Sequence, residues 1–238
     1  MGAGRAAALL AALLLWGCAT APPSDQRPMY GGEDRAADPA LRDADAKLVA
    51  DAKKAFGNAR DASDAFASDG DAAFRGGDTA SAMRFYNQAW LVDKDNPNVY
   101  WGFAAVLYQR DEYCESTRML DAGAARGPMP PRVRAIGALV YAGCGITLAK
   151  FRDTDPSRYF ARAEELLKQA EADPNASRST VIDAWARYYY GRGDYTAAWA
   201  KVAEYRRVVG KEVDPAFLAS LRDKLPEPVP AAAAPAAD

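Results

Sequence analysis

Histidine is absent from all 238 residues. That gap removes the commonest general base, the commonest metal ligand and the usual partner of a nucleophilic Ser or Cys, so a His-dependent triad or zinc site is excluded. An excess of either charge is lacking too: 30 Lys and Arg stand against 32 Asp and Glu, a formal net charge of -2. Without a basic field there is nothing to attract nucleic acid. No apolar run reaches the roughly 20 residues that a permanent bilayer span needs. No Gly-rich phosphate loop follows a strand, and no strand pattern runs beyond a few residues. Two carboxylate pairs, Glu164-Glu165 and Glu171 with Asp173, invite comparison with the paired acids of glycan hydrolysis. They lie beside Arg162 and Lys168 on the outer face of an expected helix, the usual pattern of a solvated surface. No catalytic residue, metal site or cofactor is therefore expected, and the chain reads as a non-enzyme.

What is present begins at the N-terminus. Met1 to Arg5 carries one positive charge, and Ala6 to Trp16 is apolar without helical periodicity. A basic start followed by a short apolar stretch and small residues describes a secretory signal. Leu15-Trp16-Gly17-Cys18 resembles the bacterial lipobox, with Trp16 as the departure from a small or aliphatic residue. The resemblance implies a lipoprotein signal peptide over residues 1–17, with Cys18 as the acylated new N-terminus. The alternative is an ordinary signal peptide cut beyond Cys18. Several acyl chains on one residue hold a protein durably at a membrane, where one chain holds it only marginally. Ala19 is not the aspartate that retains such lipoproteins at the inner membrane, so the same resemblance implies the outer membrane, facing the periplasm. Residues 18–38 are rich in Pro, Gly, Asp and Ala and read as a flexible tether.

Over the whole chain, 50% of the residues are hydrophobic and alanine dominates them, which favours closely packed helices. The stretch "GGDTASAMRFYNQAWLVDKDNP" aligns with "RDEYCESTRMLDAGAARGPMP" at a step of 34, placing Gly77-Asp78 on Asp111-Glu112, Ala82 on Ser116 and Tyr86 on Leu120. "GRGDYTAAWAKVAEY" repeats the turn, with Ala198 in the Ala82 place, and Ala163 precedes Ala198 by 35. This spacing resembles the helix-turn-helix period of tetratricopeptide repeats. Gly70, Ala82, Tyr86 and Ala89 occupy that family's packing positions in one unit. Tyr100, Phe103, Ala104 and Leu107 do so in the next, and Ile182, Trp185, Ala186 and Tyr189 in the last. Pro97 falls three residues late, and the third unit's first helix shows no clear register.

The expected fold is all-α: a right-handed α-solenoid of TPR-like helical hairpins over residues 39–225. The repeats run about 63–96, 97–130, 131–175 and 176–210, and none buries its apolar faces alone. Asp38-Pro39 reads as an N-cap with proline in the first turn, opening a capping helix to about Phe56. "DPAFLASLRDKL" has the same start and the same role at the other end. Residues 226–238 form a Pro/Ala tail that reads as disordered.

Cys114 and Cys144 are each 15 residues from the centre of the "RGPMPP" turn near residue 129. In an antiparallel hairpin, residues equidistant from the turn face each other, and in an oxidising compartment they can form a disulfide. Closing that loop stabilises by about 3 kcal/mol. The alternative is two separate buried thiols.

In solenoids of this resemblance the first helices line the concave face. Carrying the register over places Asp71, Phe74, Arg75, Trp101, Tyr108 and Gln109 there, with Asp183, Arg187 and Tyr190 further along. Aromatics with arginine have the composition of a binding hot spot, although any one of these aromatics can instead serve packing between repeats. The family's carboxylate-clamp pattern is not seen, so capture of a free C-terminus is not expected. The function expected is a lipid-anchored adaptor that binds an envelope protein or peptide in its groove. The alternatives are a glycan or peptidoglycan binder stacking sugars on the aromatics and, less well supported, an enzyme of wall metabolism.

Overall fold

The computed structural model describes residues 22–228. The signal segment, Cys18 and the tail from residue 229 lie outside the described residues. Ten α-helices follow one another with no strand among the described residues. They are α1 (Pro39–Phe56), α2 (Ala59–Arg75), α3 (Thr79–Val92), α4 (Pro97–Gln109), α5 (Tyr113–Ala124), α6 (Pro131–Leu148), α7 (Ser157–Ala172), α8 (Arg178–Gly191), α9 (Tyr195–Val209) and α10 (Pro215–Lys224). Helices pair in order, α2 with α3, α4 with α5, α6 with α7 and α8 with α9, in a solenoid-like all-α arrangement.

Local chemistry sets the helix starts. Asp38 accepts from the backbone N–H of Ala40 at 2.8 Å, ahead of Pro39. Asp78, Asp194 and Asp214 cap α3, α9 and α10 in the same way, and Asn58 and Asn96 cap α2 and α4. The turn before α3 and the turn before α9 each need a left-handed residue, supplied by Gly77 (φ 84°) and Gly193 (φ 78°). Between them in the chain, Asp111 adopts φ 60° at the equivalent place, as the alignment of Gly77-Asp78 with Asp111-Glu112 requires.

Packing inside each pair runs through small residues and short polar bridges. Ser63 Oγ donates to the Ala89 carbonyl at 2.9 Å, tying α2 to α3, and Ser116 Oγ donates to the Ala104 carbonyl at 2.7 Å, tying α5 to α4. Tyr86 of α3 drives between α2 and α4. A Cβ on Gly70 would stand 2.6 Å from its Cε1, and one on Gly102 would stand 2.2 Å away. Only glycine lets both helices close on that ring.

The third pair differs from the others. α6 is 18 residues long where α4 has 13, and residues 149–156 separate it from α7. Its glycines receive side chains from two neighbours: Gly143 meets Tyr113 of α5, and Gly145 meets Phe160 of α7. Cys114 and Cys144 stand at disulfide distance, with Cα atoms 4.7 Å apart, where α5 and α6 run antiparallel. At the ends, α1 packs on α2 and α3 through Ala52, Ala62 and Val92, and α10 closes on α9 through Phe217, Leu218 and Leu221.

One expectation is corrected. Residues 22–38 do not hang free as a tether; a short 3-10 turn, Ser24–Gln26, and a left-handed turn over Pro28–Gly32 lie against α3. Fully buried Asn87 organises the contact. Its Oδ1 accepts from Tyr30 N at 3.2 Å, and its Nδ2 donates to the carbonyls of Asp25 and Arg27, each at 2.9 Å. Composition suggests too little to bury, yet buried Tyr30 and Asn87 hold the strap in contact with the helices.

Candidate functional site

Pairing along the first helices is uneven. α2 packs on α4 and α6 packs on α8, but α4 and α6 make no comparable contact. A cavity of about 640 Å³ opens between them, with α2 forming its far wall. Volume of this order suits a small molecule or a few side chains of an extended peptide.

The floor and walls are apolar. Phe74 of α2, Trp101 of α4, Leu120 of α5, and Val133, Ile136 and Val140 of α6 line it. Trp101 is 9% exposed, and its ring backs onto Gly123, where a Cβ would approach the indole Nε1 to 2.5 Å. It is a wall, held by packing. Ile136 is among the few large apolar side chains left exposed.

Polar groups sit around the rim. Asp64 accepts from Asn96 Nδ2 at 2.8 Å and from Asn98 Nδ2 at 3.1 Å, so its charge is already engaged. Asp71 accepts the Tyr86 hydroxyl at 2.7 Å. Burial, then that hydrogen bond, push the Tyr86 phenol well above the ordinary tyrosine range, while Arg75 and Arg132 pull it back. Arg75 lines the cavity from α2 and Arg132 lines it from α6. Neither takes part in an ion pair among the described residues, whereas Arg134, two residues beyond Arg132 in α6, is held by Asp173 at 2.9 Å. Burial also raises the Tyr108 phenol, with Arg187 opposing and Asp183 reinforcing the shift.

Of the residues expected on the concave face, Asp71, Phe74, Arg75, Trp101, Tyr108 and Gln109 all line this cavity. Asp183, Arg187 and Tyr190 do not. Arg187 bonds Asp183 at 2.8 Å and Asp214 at 3.4 Å and lies over the Phe217 ring at 4.8 Å. Tyr190 packs edge-on against Phe217 with centroids 5.6 Å apart. These three hold α10 in place, so the face expected to be continuous is divided. The α6 wall was missed because that helix showed no register. Pro130-Pro131 followed by Val133, Ile136, Gly137 and Val140 at i, i+3, i+4 and i+7 was the available signal.

The carboxylate pairs stay out of the cavity, and Asp173 is half-buried against Arg134. Glu164 bonds Lys168 at 2.7 Å, Glu165 bonds Arg162 at 2.7 Å, and none of the four acids lines the cavity. Among the described residues no group of three or more metal-ligating side chains gathers, and no helix is long and apolar enough to cross a membrane. No family model, no curated protein and no solved structure matches the chain.

Proposed function

We propose that the protein is a lipid-anchored adaptor at the periplasmic face of a bacterial outer membrane. Its α2/α4/α6 cavity takes an extended segment of an envelope protein. The observation that carries this reading is the open seam between α4 and α6, with an apolar floor and two arginines, Arg75 and Arg132, that form no ion pair among the described residues. Such a site favours a segment that inserts apolar side chains and presents a carboxylate to Arg75 and Arg132. Charge-assisted bonds of that kind contribute about 1.5–3 kcal/mol each. The glycan reading needs aromatic faces open to sugar rings, and the burial of Trp101 argues against it.

The lipid anchor rests on the Leu15-Trp16-Gly17-Cys18 resemblance. A cysteine pair at disulfide distance fits the oxidising compartment that an exported lipoprotein enters. Confinement to the membrane surface raises the local concentration of the cavity around its partner without any new contact.

Capture from envelope extracts by the wild-type chain, an Ala105→Trp variant that plugs the cavity, and an Arg75→Glu, Arg132→Glu variant tests the reading. The plug abolishes capture, and the charge reversal weakens it at least about tenfold, equivalent to 1.4 kcal/mol. Equal capture by all three proteins contradicts the site.

A further inference from the structure

The strap of residues 22–38 places a constraint on how the molecule meets a bilayer. It is bound to the helices by more than Asn87. Arg110 Nη1, at the end of α4, donates to the Gln26 carbonyl at 2.7 Å. Tyr30 is 8% exposed and lies under the Arg35 guanidinium at 4.0 Å, and Arg35 is held in turn by Asp45 of α1 through bonds of 2.6 and 2.8 Å. Met29, Tyr30, Gly31 and Gly32 all take positive φ, a run of left-handed backbone that turns the chain sharply onto the helix. Residues outside a fixed packing arrangement do not hold such a conformation.

We infer that this strap makes the anchor a short leash, holding the strap-bearing surface of α3 against a lipid surface. The inference rests on the reading that Cys18 carries the lipid. From Cys18 to Pro22 is four residues, which reach at most ~14 Å when fully extended. A free tether from Cys18 to Pro39 would instead reach ~70 Å at most. The strap thus replaces a long radius of search by a contact distance. The cavity is walled by α2, α4, α5 and α6, and α3, which carries Asn87, does not line it; α4 meets the strap at its C-terminal end, through Arg110. Asp25 of the strap and Arg84 of α3 approach to 3.8 Å, marking residue 84 as a reporter of the leashed surface.

The test uses the full acylated chain in vesicles of phosphatidylethanolamine and phosphatidylglycerol, with a donor dye at Arg84→Cys and acceptor dye on the lipid headgroups. Strong energy transfer is expected. Insertion of roughly 20 Gly/Ser residues between Thr20 and Ala21 adds about 25 Å of reach and leaves the strap intact, so transfer falls roughly twofold or more. Asn87→Ala releases the strap and gives a similar fall, and circular dichroism of that variant verifies its helices. Vesicle flotation with transfer unchanged by the insertion overturns the leash while leaving the anchor standing. A chain that fails to float with vesicles overturns the anchor, and this inference with it.

Discussion

The seam between α2 and α4 and the seam between α4 and α6 are built from the same kind of helix, yet one is sealed and the other gapes. At the sealed seam a large outer-layer side chain, Tyr86, meets glycine on both inner helices, and its ring fills the space between them. At the open seam the corresponding outer-layer residue is Leu120, which is smaller, and α4 offers Ala105 and Tyr108 to an α6 that carries Ile136 and Val140. Leu120 reaches Gly137 of α6, where a Cβ would be 3.4 Å from its Cδ1, but no glycine of α4 answers from the other side. Sealing needs a pair of notches. Where only one exists the inner helices stay apart, and the gap between them becomes the cavity.

This difference can be broken on its sealed side first. Gly102→Val forces branched carbons into the Tyr86 ring, where even a Cβ would stand 2.2 Å away. Overpacking of this degree costs about 3 kcal/mol, read as a shift of the urea midpoint at constant slope. Next comes the staple that holds α6 to α5. The Cys114→Ala, Cys144→Ala variant loses about 3 kcal/mol on the loop-closure argument, and any native-state strain relieved by the change makes the loss smaller.

The sealed seam and the strap beside it share a pH signature. The buried Tyr30 phenol is pushed up to about 12, chiefly by burial, and the Tyr86 phenol is raised further. Unfolded tyrosine titrates near 10, so between pH 10 and 12 the folded state holds protons that the unfolded chain loses. Stability is therefore complete below pH 10 and declines above it, by about 1.4 kcal/mol per pH unit for each such phenol. Tyr86→Phe removes one share of that slope, which chemical denaturation at stepped alkaline pH detects. On the open side the expected effect is the smallest. Ala105→Trp adds more bulk than Gly102→Val, yet it expands into the cavity and leaves stability within about 0.5 kcal/mol. A large loss for this variant would mean that the two seams do not differ as described.

Much of the architecture was legible from spacing. The step of 34 placed the Gly77 and Asp111 turns, and both take positive φ. The Asp38-Pro39 and Asp214-Pro215 pairs marked α1 and α10, and symmetry about residue 129 paired Cys114 with Cys144. Six of the nine residues expected in the groove line one cavity, because the first-helix register of α2 and α4 was sound. Two things were illegible for physical reasons. α6 is rich in glycine and alanine and receives neighbours on several faces, so the stripe of Val133, Ile136, Gly137 and Val140 does not stand out from the apolar residues around it, and its wall of the cavity went unread. The strap was misread because composition measures how much a segment can bury, whereas here Asn87 fixes it with three hydrogen bonds to the backbone.

Photo-crosslinking from benzoylphenylalanine at position 136, followed by sequencing of the attached material, tests the cavity as a protein-binding site most directly. Ile136 is exposed at the mouth of the open seam, and Phe151, outside the cavity and 61% exposed, serves as the control position. The account predicts an adduct from position 136 to one recurrent peptide segment, apolar with an acidic residue, that disappears in the Arg75→Glu, Arg132→Glu background and is absent from position 151. Adducts to glycan strands, or peptide adducts of equal yield from both positions, would contradict it.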